Sequence, residues 1–262
     1  MNEESVEARN RYIVEEMALV QKVEITDVFQ WLKKGWSDTK KTWKVSVTYA
    51  ALFILVGLFV SFGFYHLDVP YLILPALSGF LLVGPAVAIG FYEGSLRIQE
   101  GESFQLKDCI LAFRRNTWSI MAIGIAQVFL FMVWIRFSFT LFAISFPGVS
   151  PEWGAIAARA ITIEGVHFGL MIMVLGAVFA IVTFFSGAFS LPLMVDRKTV
   201  LIPALITSAY AVQQNIKPMI IWAALIVTIM FAGLISVIGL IVTFPLIGHA
   251  TWHAYQRVLG KT

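Results

Sequence analysis

Two histidines, His249 and His253, stand four residues apart in the stretch FPLIGHATWHAY near the end of the chain. On a helix, residues four apart share a face. Such a pair can hold a metal ion between them, or one of them can ligate haem. Counting back from Arg257 puts His249 about 12 Å up the helix axis, within an apolar run. Ionisable groups in such surroundings are candidates for function. No carboxylate or third histidine is adjacent in sequence, and Thr251 and Trp252 beside the pair suit hydrogen bonding between helices. Packing is the favoured reading, with no cofactor; haem or metal binding through His249 and His253 is the alternative.

Other charged groups bracket apolar runs. Glu93, Asp196 and Arg197 fall at the ends of two of them, where a Glu93–Arg197 ion pair would lock neighbouring helices or gate a proton or solute. Arg136 interrupts a third run, which is long enough for its side chain to reach an interface; set deeper, it would mark an anion path. Three prolines, Pro85, Pro192 and Pro245, sit inside apolar runs. Each removes one helical hydrogen bond and bends its helix, freeing the carbonyls of Leu81, Ala188 and Ile241. Those carbonyls could line a cavity or join hairpins, and joining is the plainer use. No phosphate loop, nucleophile elbow, HExxH or CxxC pattern is present, so no catalytic activity is expected.

The elements that must position these groups are membrane helices. Of the 262 residues, 59% are hydrophobic and 13% charged, about half the charge of an ordinary soluble chain. Several apolar windows approach 20 residues, the length that crosses a bilayer. The periodicity and breaks predict six spans, near 45–65, 69–92, 118–146, 165–195, 218–235 and 239–255. Paired, they make three antiparallel hairpins in an all-α membrane domain over 45–262.

Polar segments lead into these hairpins. Residues 1–44 read as an arm, mobile or partner-dependent up to Val23, followed by an amphipathic helix capped at Thr26 or Asp27. On that helix Val28, Trp31, Leu32 and Trp36 share a face bordered by Lys33, Lys34, Lys40 and Lys41. This is the pattern of a helix lying at headgroup depth over anionic lipid. A second amphipathic helix, with Ser103 as its cap, precedes the third span, and a third over 199–215 precedes the fifth. The order amphipathic helix, span, proline-broken span thus occurs three times, which suggests a repeated unit. Chance similarity of short loops and polar helices is the other explanation.

Seventeen of the nineteen Lys and Arg residues fall before the first span, between the second and third, between the fourth and fifth, or after the sixth. The positive-inside rule then puts both termini in the cytoplasm. The pI near 9.0 therefore reflects topology rather than nucleic-acid binding. A lone cysteine, Cys109, excludes an internal disulfide. No cleavable signal is expected, because the first apolar run follows a long charged segment.

At these motifs the chain resembles a bacterial family of predicted integral membrane proteins, some of whose members carry the label cytochrome c oxidase subunit I. The matching residues are Gly84, Pro85, Gly90, Tyr92, Glu93, Ser95, Arg97, Glu100 and Gly101. Pro192, Asp196 and Arg197 follow, then Gly248 to His253 and Tyr255. Leu96 stands where the family commonly has Arg. The resemblance runs from about Ile25 to the C-terminus and implies six spans, a bacterial inner membrane and no established activity. The oxidase label does not fit, because such a subunit needs about six histidines for its haems and copper and this chain has four.

Three functions follow as expectations. The first is a non-catalytic inner-membrane protein that packs against other integral subunits, as an accessory or assembly partner of a larger complex such as a respiratory one. The second is a small transporter or channel with a polar path past Glu93, Asp196 and His249. The third is the haem or metal protein.

Overall fold

In a computed structural model, residues 13–67, 73–148, 154, 158–159 and 161–260 are described. The first twelve residues of the expected arm, part of the first hairpin link and half of the loop over 147–164 lie outside them. The described residues form helices throughout: α1 Ile25–Lys41, α2 Trp43–His66, α3 Ile73–Val87, α4 Ile89–Glu100, α5 Leu106–Leu111 and a 3₁₀ turn Ala112–Asn116. After these come α6 Thr117–Ser145, α7 Ile163–Gly187, α8 Ser190–Arg197, α9 Leu201–Gln214, α10 Ile216–Ser236 and α11 Leu240–Leu259.

Among the described residues, four helical stretches are long and apolar enough to cross a membrane: Trp43–His66, Leu106–Ser145, Ile163–Arg197 and Ile216–Ser236. They correspond to the expected spans one, three, four and five. The stretches expected as spans two and six have a different character. The second is divided between α3 and α4. The sixth is α11, most of whose residues, the polar His249 and Thr251 included, are buried against other helices.

The proline sites differ from one another. Pro85 lies inside α3, and the helix breaks one turn later at Ala88, where Phe91 N–H turns to the Ala88 carbonyl at 2.9 Å. Pro192 falls in the first turn of α8, after a break at Ala188 and Phe189. A proline costs little there, since first-turn N–H groups have no helical partner. The broken bond is bridged from α9: Phe189 N–H donates to Ser208 Oγ at 3.1 Å, and that hydroxyl donates to the Phe185 carbonyl at 3.0 Å. Pro245 is accommodated inside a continuous α11.

The helices divide into two compact units. One holds the described parts of Met1–Ile54, Pro85–Ile123 and Phe184–Thr262; the other holds Leu55–Gly84 and Gly124–Thr183. This grouping cuts across the expected boundary at residue 44. The second unit comprises apolar helical segments with many exposed large side chains, among them Phe59, Phe62, Met173 and Val174. The first unit gathers the polar helix preceding each of three apolar ones, together with α10 and α11.

Within the first unit, α1 packs along α11. Gly35 makes the closest approach: a Cβ there would lie 2.6 Å from the backbone nitrogen of Ala250. Trp31 on the same face meets Trp222 of α10 edge to face, with ring centroids 5.7 Å apart. The chain ahead of α1 is tied down as well. Gln21 N–H donates to the Val258 carbonyl at 2.9 Å, Val23 N–H donates to Asn215 Oδ1 at 2.9 Å, and Arg197 pairs with Glu16. Residues 13–23 are therefore docked on this unit, unlike the mobile arm expected for them.

The starts of α1 and α5 use one device at positions other than those expected. Asp27 Oδ2 accepts from Glu24 N–H at 2.9 Å, and Asp108 Oδ2 accepts from Gln105 N–H at 2.8 Å. The capped residues are therefore Glu24 and Gln105. An acceptor carboxylate in the first turn also favours the positive end of the helix dipole.

The tight approach at Gly35 gives a sharp test. Gly35→Val should destabilise the purified protein by about 1–3 kcal/mol, the cost of overpacking against backbone that cannot retreat. Gly57→Ala, where nothing lies within 4 Å of an added Cβ, should be neutral or slightly stabilising. Thermal unfolding in one detergent compares them.

Candidate functional site

The polar centre of the first unit lies where α1, α2, α4 and α11 meet. Asp38, one turn from the end of α1, points inward because Lys33, Lys34, Lys40 and Lys41 occupy the outer sectors of the helix. Ser95 comes from α4, Ser46 from the first turn of α2, and His249 and His253 from one face of α11. Asp38, Ser46, Ser95 and His249 are buried, while His253 keeps a small exposed edge. Gly94 leaves the room that α4 needs here, since a Cβ on it would meet the Phe104 ring at 2.9 Å and His249 Cε1 at 3.1 Å.

The hydrogen bonds run in one direction. Ser95 Oγ donates to Asp38 Oδ2 at 2.8 Å, so its proton is committed. His249 Nδ1, 2.8 Å from the same Ser95 oxygen, must then be the protonated nitrogen that donates. The other ring nitrogen, Nε2, is left to accept from Ser46 Oγ at 3.0 Å. Thr42, 3.2 Å from Nε2, already donates to the Asp38 backbone carbonyl at 2.7 Å. His253 Nε2 donates to Asp38 Oδ2 at 2.7 Å. The chain therefore runs from Ser46 through a neutral His249 and Ser95 to the Asp38 carboxylate, which also binds His253. Burial opposes charge on Asp38, but the hydrogen bonds from His253 and Ser95 and the nearby histidine rings outweigh it. Its pKa lies below the ordinary 3.8.

His253 bonds Asp38 directly and His249 reaches it through Ser95, so the two histidines share one carboxylate. Both ring nitrogens of His249 are engaged by hydroxyls, which leaves no lone pair directed at a ligand. Among the described residues, no three or more His, Cys, Asp or Glu side chains are grouped so as to hold a metal ion. Asp38 and Ser95 supply what the sequence did not place beside the histidines. The available signal was an aspartate on the inward face of a lysine-rich helix.

The remaining candidates fall into separate clusters. Glu93 does not pair with Arg197. It accepts from Arg97 Nε at 2.8 Å and from Arg115 Nε at 2.5 Å, joining α4 to the 3₁₀ turn. Asp108 and Glu102 approach Arg97 at 3.5 and 3.3 Å. Arg197 instead pairs with Glu16 and donates to the Leu259 carbonyl at the end of α11. Asp196 accepts from the Tyr255 hydroxyl at 2.5 Å, and Trp252 Nε1 donates to Gln99 at 3.2 Å. Among the described residues Glu93, Asp196 and His249 thus each have their own partners. Arg136 lies in α6, in the second unit, with its side chain exposed.

Comparison with known proteins narrows the class. Residues 73–196 match a family described as predicted integral membrane protein (DUF2189). With the four long apolar helices beside that match, the class follows. This is an integral membrane protein. The matched segment holds Glu93, Ser95, Pro192 and Asp196 but ends before α11, so the histidines lie beyond it. No curated protein and no solved structure shows significant similarity to the chain.

The network makes a pH prediction with a definite sign. A depressed carboxylate pKa contributes stability that is present above the unfolded value, about 3.8, and is lost as pH falls through the lower folded value. Asp38→Asn should therefore lower the unfolding temperature at neutral pH and flatten its dependence on pH below 4. Glu102→Gln, more than half exposed in its salt bridge, should change neither.

Proposed function

We propose that this integral membrane protein has no catalytic activity of its own and acts by packing against other integral membrane subunits, as an accessory or assembly partner of a larger complex. The observation that carries this reading is the saturation of the buried polar centre. Asp38, Ser95, His249 and Ser46 spend their hydrogen-bonding capacity on one another. Such an arrangement specifies how helices pack and holds no group ready to react. Outside that centre, α2, α6 and α7 carry exposed Phe59, Phe129 and Met173 among other large apolar side chains. Those surfaces suit lipid or the apolar face of another subunit.

The recurring order of polar helix and apolar helix supports the three-hairpin, six-span layout as part of the proposal. In that layout α3 with the start of α4 completes the first hairpin and α11 the third, and both termini are cytoplasmic in a bacterial inner membrane. The distribution of Lys and Arg supports this orientation.

Purification from native membranes at natural abundance in a mild detergent tests the reading. A stoichiometric integral partner that dissociates when Phe59 and Phe129 are replaced by polar residues is the expected result. Recovery of the chain alone, with no partner at comparable amount, would remove the proposal.

A further inference from the structure

The outer surface of α1 has two distinct sectors. Its inward face is taken by Val28, Trp31, Gly35 and Asp38. About 120° around the helix, Ile25, Phe29 and Trp36 form a stripe at spacings of four and seven residues, exposed by 43, 57 and 43%. Lys33, Lys34, Lys40 and Lys41 fill the next sector around the helix, all exposed. Lys40 Nζ stands 5.9 Å from the centroid of the Trp36 ring. The aromatics expected on a single face are therefore divided: Trp31 packs on the protein and Trp36 does not.

We infer that the Ile25–Phe29–Trp36 stripe is a docking surface for a bilayer leaflet rich in anionic phospholipid, with the four lysines on its headgroups. Three observations point to lipid as the occupant. The first is charge and shape: an aromatic stripe flanked by lysines complements the acyl boundary below and anionic phosphates above. The second is connectivity. Only Thr42 separates α1 from the membrane helix α2, which begins with Trp43, itself half exposed, and Lys44. The stripe therefore lies next to the point where the chain enters the bilayer, where tryptophans collect. The third is recurrence within the same unit. α5 presents exposed Ile110 and Lys107 one 3₁₀ turn ahead of α6, whose second residue, Trp118, is 85% exposed. This surface is independent of whether the protein has a subunit partner.

Spin labelling of the full-length protein in lipid nanodiscs tests the inference. In a Cys109→Ala background, nitroxides are attached at Phe29→Cys, on the stripe, or at Gln30→Cys, about 100° around the helix. In discs containing phosphatidylglycerol, position 29 should collide with dissolved oxygen in preference to a water-soluble nickel chelate, and position 30 should show the reverse. Equal access of the chelate to both positions would overturn the inference, because the stripe would then face water. Shielding of position 29 from both relaxers would also overturn it, in favour of a protein or second copy on this face. Replacement of the four lysines by glutamate provides a second, separate readout. It should lower the preference of the bound lipid for phosphatidylglycerol over phosphatidylcholine by about tenfold or more; an unchanged preference would remove the lysines from the inference.

Discussion

The first unit depends on one carboxylate. Asp38 takes hydrogen bonds from Ser95 of α4 and His253 of α11, and through Ser95 it determines which nitrogen of His249 carries the proton. Three helices distant in sequence are thereby held at one point. A buried carboxylate without these partners would carry a heavy desolvation cost, and a neutral residue in its place would leave buried donors unpaired. The penalty for misassembly is what gives the centre its specificity. Hydrophobic packing alone would tolerate many helix arrangements, because apolar contacts have little directional preference.

Close backbone contacts make that centre possible. Gly35 against Ala250, Gly94 against Phe104 and His249, and Gly248 against Phe91 each occupy a place where a Cβ would overlap a neighbour or press tightly on it. These small residues bring α1 and α4 near enough to α11 for short side chains to bond directly. A serine reaches only a few ångströms from its backbone, so the Ser95–His249 contact requires such proximity. The glycines and the polar chain are therefore two aspects of one construction. Neither would persist without the other.

The two units face different physical demands. The apolar segments of the second can meet lipid with large side chains exposed, and their backbone needs are met within each helix. The first unit contains interrupted helices; the break at Ala88 is met by its own backbone, whereas the one at Phe189 takes a partner from another helix. The Ser208 hydroxyl supplies one between Phe185 and Phe189. The Arg197 guanidinium donates to the Leu259 carbonyl at the end of α11, where the helix dipole favours a positive charge.

The sequence by itself determined the helical class, the membrane character and the apolar stretches. Those properties follow from composition and from periodicity over 20 or more residues, and both are local. The histidine pair was legible for the same reason, since a spacing of four fixes a shared helix face. Tertiary structure alone decided what that face meets. Asp38 and Ser95 lie more than 150 residues from His249, and no local pattern links them. It likewise decided that Glu93 binds Arg97 and Arg115 rather than Arg197, because several acidic and basic groups flank the same apolar runs and only distance selects among them. The division of Trp31 and Trp36 between protein and exterior has the same origin: helical periodicity groups residues by angle, and only a neighbouring helix shows which angle is covered.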